Sequence, residues 1–289
     1  MITKILVDSA SDIDLEEAKE YGVELIPMEI SFGNETYEDG VTISHDEFFE
    51  KLIETDVMPK TSRISAYRFE EKFAGMTEGE EETEIVCITL SSELSGTYDE
   101  AKRAAANFGG KVYVVDSFTA SLGERILLEY AVLLLKQGLS AREIAALLEE
   151  KKKDIRLIAL MGTLKYLKKG GRISPLVAIS GELLNVKPVI AVEGSVKMLG
   201  KALGSKRGNN LLSESIAKAG GVDFSMPFTT AYSGFDSSVL DKYIADSSSL
   251  WKPGAENITK HKIGSTIGTH IGPGAIAVAF FMPEQGKTD

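Results

Sequence analysis

Cysteine is nearly absent from this sequence. Cys87 stands alone among 289 residues, so no disulfide can form within the chain. It lies inside the apolar run IVCITL, where burial raises a thiol's pKa and leaves it inert. Histidine is also scarce. His45, His261 and His270 are far apart and lack metal-ligand spacing, so no metal site is expected. Positive charge is in deficit, with 32 basic against 43 acidic residues and a net charge of −11. That excludes the broad basic footprint of a nucleic-acid binder and leaves room only for a local patch. Long hydrophobic runs are missing too. LLEYAVLLL (127–135) is interrupted by Glu129 and is far too short to span a bilayer. The opening MITKILVDSASD has no basic region followed by a sustained apolar stretch, so no secretory signal is read. A cytoplasmic protein without stable membrane insertion is expected.

Several catalytic signatures are absent as well. No G-x-G-x-x-G follows a strand, and GSVKMLGK (194–201) fails as a phosphate loop. Its spacing is one residue too long, and Ala202 replaces the required Ser or Thr. The elbow G-x-S-x-G does not occur. A Ser–His–Asp triad assembled in space stays open, because such triads are defined by geometry.

What is present is core material, at 43% hydrophobic residues. ITKILV (2–7) reads as a strand and residues 8–12 as a turn. Asp14 with Glu17 opens a helix that Gly22 ends. VELIPMEISF reads as a second strand, and Ser44 with Glu47 caps the next helix. A strand at 84–90 leads through SSELSG into the helix TYDEAKRAAANF, followed by the strand KVYVVDS. Residues 122–136 read as a buried helix, and Ser140 with Glu143 caps another. This alternation predicts an α/β lobe with a mostly parallel sheet, whose ligands lie beyond the carboxyl ends of the strands. After about residue 155 the pattern changes. RLIALMG reads as a strand, TLKYLKKGGRIS as a short basic helix and turn, and PLVAISGELL as a helix. VKPVIAVEGSVKMLGKAL reads as a hairpin, with further strands at TTAYSGF and AIAVAFFM. The expected architecture is an N-terminal α/β lobe over 1–155 and a C-terminal α+β lobe over 156–289.

Three hydroxyl-rich segments carry the chemistry: KTSRIS (60–65), SSELSGTYDEA (91–101) and GSTIGTHIGPGA (264–275). The second ends a strand with five hydroxyls and a glycine. Unpaired N–H groups at a helix start, a glycine permitting close approach and rotatable hydroxyls together make an anion cradle. The plain alternatives are that Ser95 caps its own helix, that Ser65 caps the helix after it, and that His270 is a loop histidine bonded to a carbonyl.

As a set, the segments resemble the DegV family. The matching pieces keep their order along essentially the whole chain: DSASD, the Thr61–Ser62 loop, SSELSGTYDEA, VDS at 115–117, LKYLKKGGRIS, NVKPVI and THIGPGA. The resemblance implies two lobes with a long-chain fatty acid between them. It further implies a non-catalytic subunit that presents the carboxylate to a separate ATP-dependent kinase, which makes the acyl phosphate. Thr61, Ser62, Ser95, the Gly96 backbone and His270 would then surround the carboxylate, with no cofactor. One departure stands out. The family commonly reads T-S-Q-P-S at the first loop, whereas this chain has Arg63 and Ile64 in place of Gln-Pro, which removes a stiffening proline and adds a cation.

The physics suits such a ligand. Hydrogen bonds to a charged group contribute about 1.5–3 kcal/mol each, and a protonated His270 would add to them. Burying a methylene contributes roughly 0.8 kcal/mol, so about fourteen give on the order of 10 kcal/mol before association costs. The tail sets affinity and the polar cluster sets orientation. Lys165, Lys168, Lys169 and Arg172, with Lys206 and Arg207, form the local basic patch expected to meet the kinase or the acyl phosphate. Two other functions compete: an acyl hydrolase or acyltransferase using Ser95 and His270, and a lipid-binding sensor that reports to a protein partner. A monomer is expected of a shuttling carrier.

Overall fold

The computed structural model describes residues 2–79, 82–174 and 185–284. Strand and helix alternate through β1 (Ile2–Asp8), α1 (Leu15–Tyr21), β2 (Glu24–Ile26), β3 (Glu29–Phe32), β4 (Glu35–Glu38), α2 (His45–Glu54), β5 (Lys60–Ser62) and α3 (Ala66–Thr77). They continue through β6 (Thr83–Thr89), α4 (Thr97–Ala105), β7 (Val112–Asp116), α5 (Leu122–Lys136) and α6 (Ala141–Lys151). The helix starts follow local chemistry. Asp14, Ser44 and Ser140 each accept the N–H three residues on, and Glu17, Glu47 and Glu143 accept the cap's own N–H in return. Each capping box satisfies two donors that a helix otherwise leaves unmatched.

β2, β1, β6 and β7 form a four-stranded sheet in that order, every pair parallel. The expected strand VELIPMEISF divides at Pro27. Proline has no N–H to give a ladder, and the Met28 N–H bonds the Ser9 hydroxyl at 3.0 Å. β2 therefore ends in the parallel sheet, while β3 joins β4 and β5 in a separate three-stranded antiparallel sheet. The turn after β1 is one 3-10 turn, Ser9–Ser11, capped by the Asp8 carboxylate.

Next come β8 (Ile155–Leu160), α7 (Lys165–Lys169), β9 (Val186–Glu193), β10 (Ser195–Leu203), α8 (Ser205–Lys218) and β11 (Phe228–Tyr232). α9 (Ser238–Asp246), α10 (Ser248–Trp251), β12 (Lys260–Lys262), α11 (Ser265–Ile271) and β13 (Ile276–Phe281) complete the described part. The six-stranded sheet runs β10-β9-β8-β13-β11-β12, antiparallel except for its last pair. β9 and β10 are the expected hairpin, turning at Gly194 with φ +70°. The helix expected at 175–184 lies outside the described residues.

α5 packs against strands of both large sheets. One apolar core runs from Ile5, Val7 and Val86 through Ile126 and Leu127 to Leu157, Ala159 and Ala277. α5 is buried as expected, yet it also buries Glu124 and Arg125. No helix among the described residues is long and apolar enough to cross a membrane.

Candidate functional site

The carboxyl ends of the parallel strands face the six-stranded sheet across a cavity of about 310 Å³. Its sheet side is apolar: Leu157, Ala159 and Met161 on and just after β8, Ile190 and Val192 on β9, and Ala277 on β13. Residues two apart on a strand share a face. Ala159 pairs with both Ala277 and Ile190, so small and medium side chains lie in one row across three strands.

The polar groups gather where β5, the loop after β6, α7 and α11 meet. Thr61, Arg63, Ser95, Gly96, Arg172 and His270 all line the cavity. Thr61 Oγ1 and His270 Nε2 are 2.9 Å apart. Ser62 is exposed and does not line the cavity. The two residues are consecutive on β5, so their side chains point to opposite faces.

The hydroxyls of SSELSG divide into two groups. Ser91 Oγ accepts the Glu93 N–H at 3.2 Å, and Ser92 Oγ donates to Asp116 Oδ2 at 2.5 Å. These bonds shape the loop. Ser95 alone of the three serines faces the cavity. Its Oγ lies 2.9 Å from Thr97 Oγ1 and accepts the Thr97 N–H at 3.3 Å. The N-cap of α4 is Gly96, with no side-chain cap bond. A Cβ on Gly96 would sit 3.0 Å from Arg63 Cδ, so glycine lets the arginine lie across the helix start.

α11 is held at its start by two carboxylates. Asp12 Oδ1 accepts the Gly264 N–H at 2.8 Å, and Asp39 accepts those of Ser265 and Thr266 at 2.9 and 3.1 Å. His270 is therefore helical, not the loop residue of the plain alternative. Its Nδ1 has no hydrogen-bond partner among the described residues. A Cβ on Gly170 would meet that nitrogen at 2.4 Å, which explains the first glycine of KKGG.

The charge state of His270 departs from expectation. Burial, and then the nearby Arg172 guanidinium, lowers its pKa to about 4. The imidazole is neutral at pH 7, and the fixed positive charge at the site belongs to Arg172 and Arg63. Arg63, 63% exposed, pairs with Glu100 at 3.2 Å. Arg172 donates to the carbonyls of Leu94 (3.3 and 3.2 Å) and Gly170 (2.7 Å). Arg172, a member of the basic patch, thus also forms part of the cavity wall. Lys165, Lys168 and Lys169 are exposed on α7, as are Lys206 and Arg207 on α8, and none of them lines the cavity. Cys87 is buried, and burial pushes its thiol well above the usual range. Among the described residues, no group of three or more His, Cys, Asp or Glu is placed to hold a metal ion.

The arrangement offers neutral and charged donors at one end of an apolar chamber. Among the described residues Ser95 bonds Thr97 and His270 bonds Thr61, and no hydrogen bond joins Ser95 to His270.

Comparisons with known proteins agree with this layout. The model of the family described as "Uncharacterised protein, DegV family" matches residues 2–282. A DegV domain-containing protein of Deinococcus radiodurans is 31% identical over 284 residues, covering 96% of this chain and 98% of its own. Among solved structures, a fatty-acid-binding DegV family protein from Thermus thermophilus superposes with a TM-score of 0.85 at 28% identity, covering 98% of this chain and all of that one. The fatty acid kinase B3 protein of Streptococcus pneumoniae, loaded with linoleic acid, shares the fold at a TM-score of 0.82 and 21% identity. That match covers 98% of this chain and 100% of the other.

Proposed function

The chain belongs to the DegV family, and from that premise we propose that it is a non-catalytic carrier of a long-chain fatty acid. One observation carries the reading: an apolar cavity between the two large sheets whose hydrogen-bond donors collect at one end. The acyl tail lies along the β8, β9 and β13 face. The carboxylate accepts from Thr61, Ser95, the Gly96 backbone, His270 and Arg172. A neutral imidazole serves here as a donor, provided its proton is on Nε2. The carboxylate is then presented to a separate ATP-dependent kinase, which forms the acyl phosphate, and exposed Lys168 and Lys169 meet that partner. The carrier works as a cytoplasmic monomer without a cofactor, and its lobes divide near residue 155.

The test begins with natively purified protein, extracted with organic solvent and examined by mass spectrometry. A stoichiometric fatty acid is expected. An empty protein that also fails to take up added fatty acids would remove the reading. Phosphorylation by a cognate kinase then separates carrier from sensor, since a sensor retains lipid but is never phosphorylated. Charge reversal at Lys168 and Lys169 should slow phosphorylation and leave lipid retention unchanged. Turnover of activated esters that vanished in Ser95→Ala would instead revive the hydrolase.

A further inference from the structure

The cavity follows α11 along one side. Thr266, Ile267, His270 and Ile271 line it at the i, i+1, i+4 and i+5 spacing of one helix face, and Ile263 joins them from just before the helix. The three isoleucines serve as apolar wall, and His270 belongs to the polar end. Thr266 fits neither role. It is 2% exposed, and its Oγ1 has no hydrogen-bond partner among the described residues.

Its position explains why the hydroxyl is left over. A threonine inside a helix can bond the carbonyl four residues back, as Thr269 does to Ser265 at 2.9 Å. Thr266 is the second residue of α11, and four residues back lies Lys262 on β12. Its N–H is already taken by Asp39. Ser121, another hydroxyl in the cavity wall, is committed to Asp12. Leaving a buried hydroxyl unpaired is unfavourable, and valine would fill the same space without that cost.

We propose that Thr266 is a specificity-determining contact for an oxygen carried on the acyl chain. The preferred ligand class is then a hydroxy- or oxo-substituted long-chain fatty acid. This rests on the carrier reading above. Thr266 and His270 are one helical turn apart, about 6 Å at 1.5 Å per residue, or on the order of five carbon–carbon bonds of an extended chain. The recognised oxygen therefore lies near carbon 6.

The experiment measures affinities of the delipidated full chain for stearic, 6-hydroxystearic and 12-hydroxystearic acids by calorimetry. Wild type should favour the 6-hydroxy acid over stearic acid about fivefold or more, with no gain for the 12-hydroxy isomer. Thr266→Val should erase the preference while binding stearic acid at least as tightly, and Thr266→Ser should keep it. Equal affinities in wild type, or a preference that survives Thr266→Val, overturn the proposal alone. A wild type that binds none of the three acids overturns the carrier reading and this proposal with it.

Discussion

Two arginines in this chain have opposite surroundings. Arg125, on α5, is fully buried, and its charge is answered within the fold. Its two terminal nitrogens donate to Glu17 Oε1 and Oε2 at 2.9 and 2.6 Å, and the carbonyl of Asp12 takes a further bond. Burial acts to raise the Glu17 pKa, but bonds from His261 and Arg125 prevail and hold it well below the usual carboxylate range. Arg172 is only partly buried, and its donors go to the neutral carbonyls of Leu94 and Gly170. Among the described residues no carboxylate pairs with it. The same side chain is a structural tie where an internal anion answers it. Where only carbonyls hold it, its charge is available to an anion from outside.

The sharpest break of this contrast is Arg125→Ala. Removing the buried member of the pair leaves the partly exposed Glu17 with His261 alone and costs up to about 3 kcal/mol, the low end for a broken buried pair. Urea unfolding should show that loss, while fatty-acid affinity per folded molecule stays unchanged. Arg172→Gln should do the reverse. Unfolding should move by less than about 1 kcal/mol, whereas fatty-acid affinity should fall roughly 10- to 150-fold, the equivalent of a charged hydrogen bond of about 1.5–3 kcal/mol. Equal effects on stability would erase the distinction between the two sites.

Neither arginine's role was legible from its neighbours in sequence. The run 122–136 reads correctly as a buried helix, because its apolar residues cover most faces. That same pattern hides the fact that Glu124 and Arg125 are buried with them. Arg172 follows three lysines and reads as surface charge, until the packing of Gly170 on His270 brings the turn against the cavity. GSTIGTHIGPGA looks like a loop because of its glycines. Gly268 is there for packing, since a Cβ on it would meet Phe48 at 2.7 Å and Phe49 at 3.0 Å. The capping boxes and the β9–β10 hairpin were legible, being set by residues within a few positions of one another. The break at Pro27 depended on a partner for the Met28 N–H, Ser9, nineteen residues from Met28.

His270 probes how far the unanswered charge of Arg172 reaches. Its folded pKa of about 4 lies below the ordinary 6.5, through burial first and Arg172 second. As pH falls from 6.5 to 4, the unfolded chain gains this proton and the folded chain does not. This residue therefore withdraws stability on acidification. Asp8 and Asp12, pushed up to about 7 by burial, work in the opposite sense: they favour the folded state at low pH, and that contribution is lost as pH rises through 7. The difference between wild type and His270→Gln isolates the histidine, and its sign should match the loss on acidification. By NMR the imidazole should titrate near 4 and shift upward in Arg172→Gln, but not in Arg125→Ala. An unperturbed value near 6.5 in wild type would mean that neither burial nor Arg172 acts on it.

The smallest effect should come from the smallest structural difference, between neighbours on β5. Thr61 and Ser62 carry the same functional group and are consecutive, but only Thr61 lines the cavity and meets His270. Thr61 pairs with Ile30 and Ser62 with Glu29 on β3. Thr61→Val should therefore weaken fatty-acid binding several-fold, near 1 kcal/mol for a lost hydrogen bond, while Ser62→Ala should change it less than about twofold, as an exposed substitution does. A one-residue slip of β5 against β3 would reverse the two, because it sends every side chain to the other face. Equal weakening by both substitutions would mean that the bound carboxylate reaches past the β5 backbone, and the polar end would then be wider than Thr61 and His270 alone define.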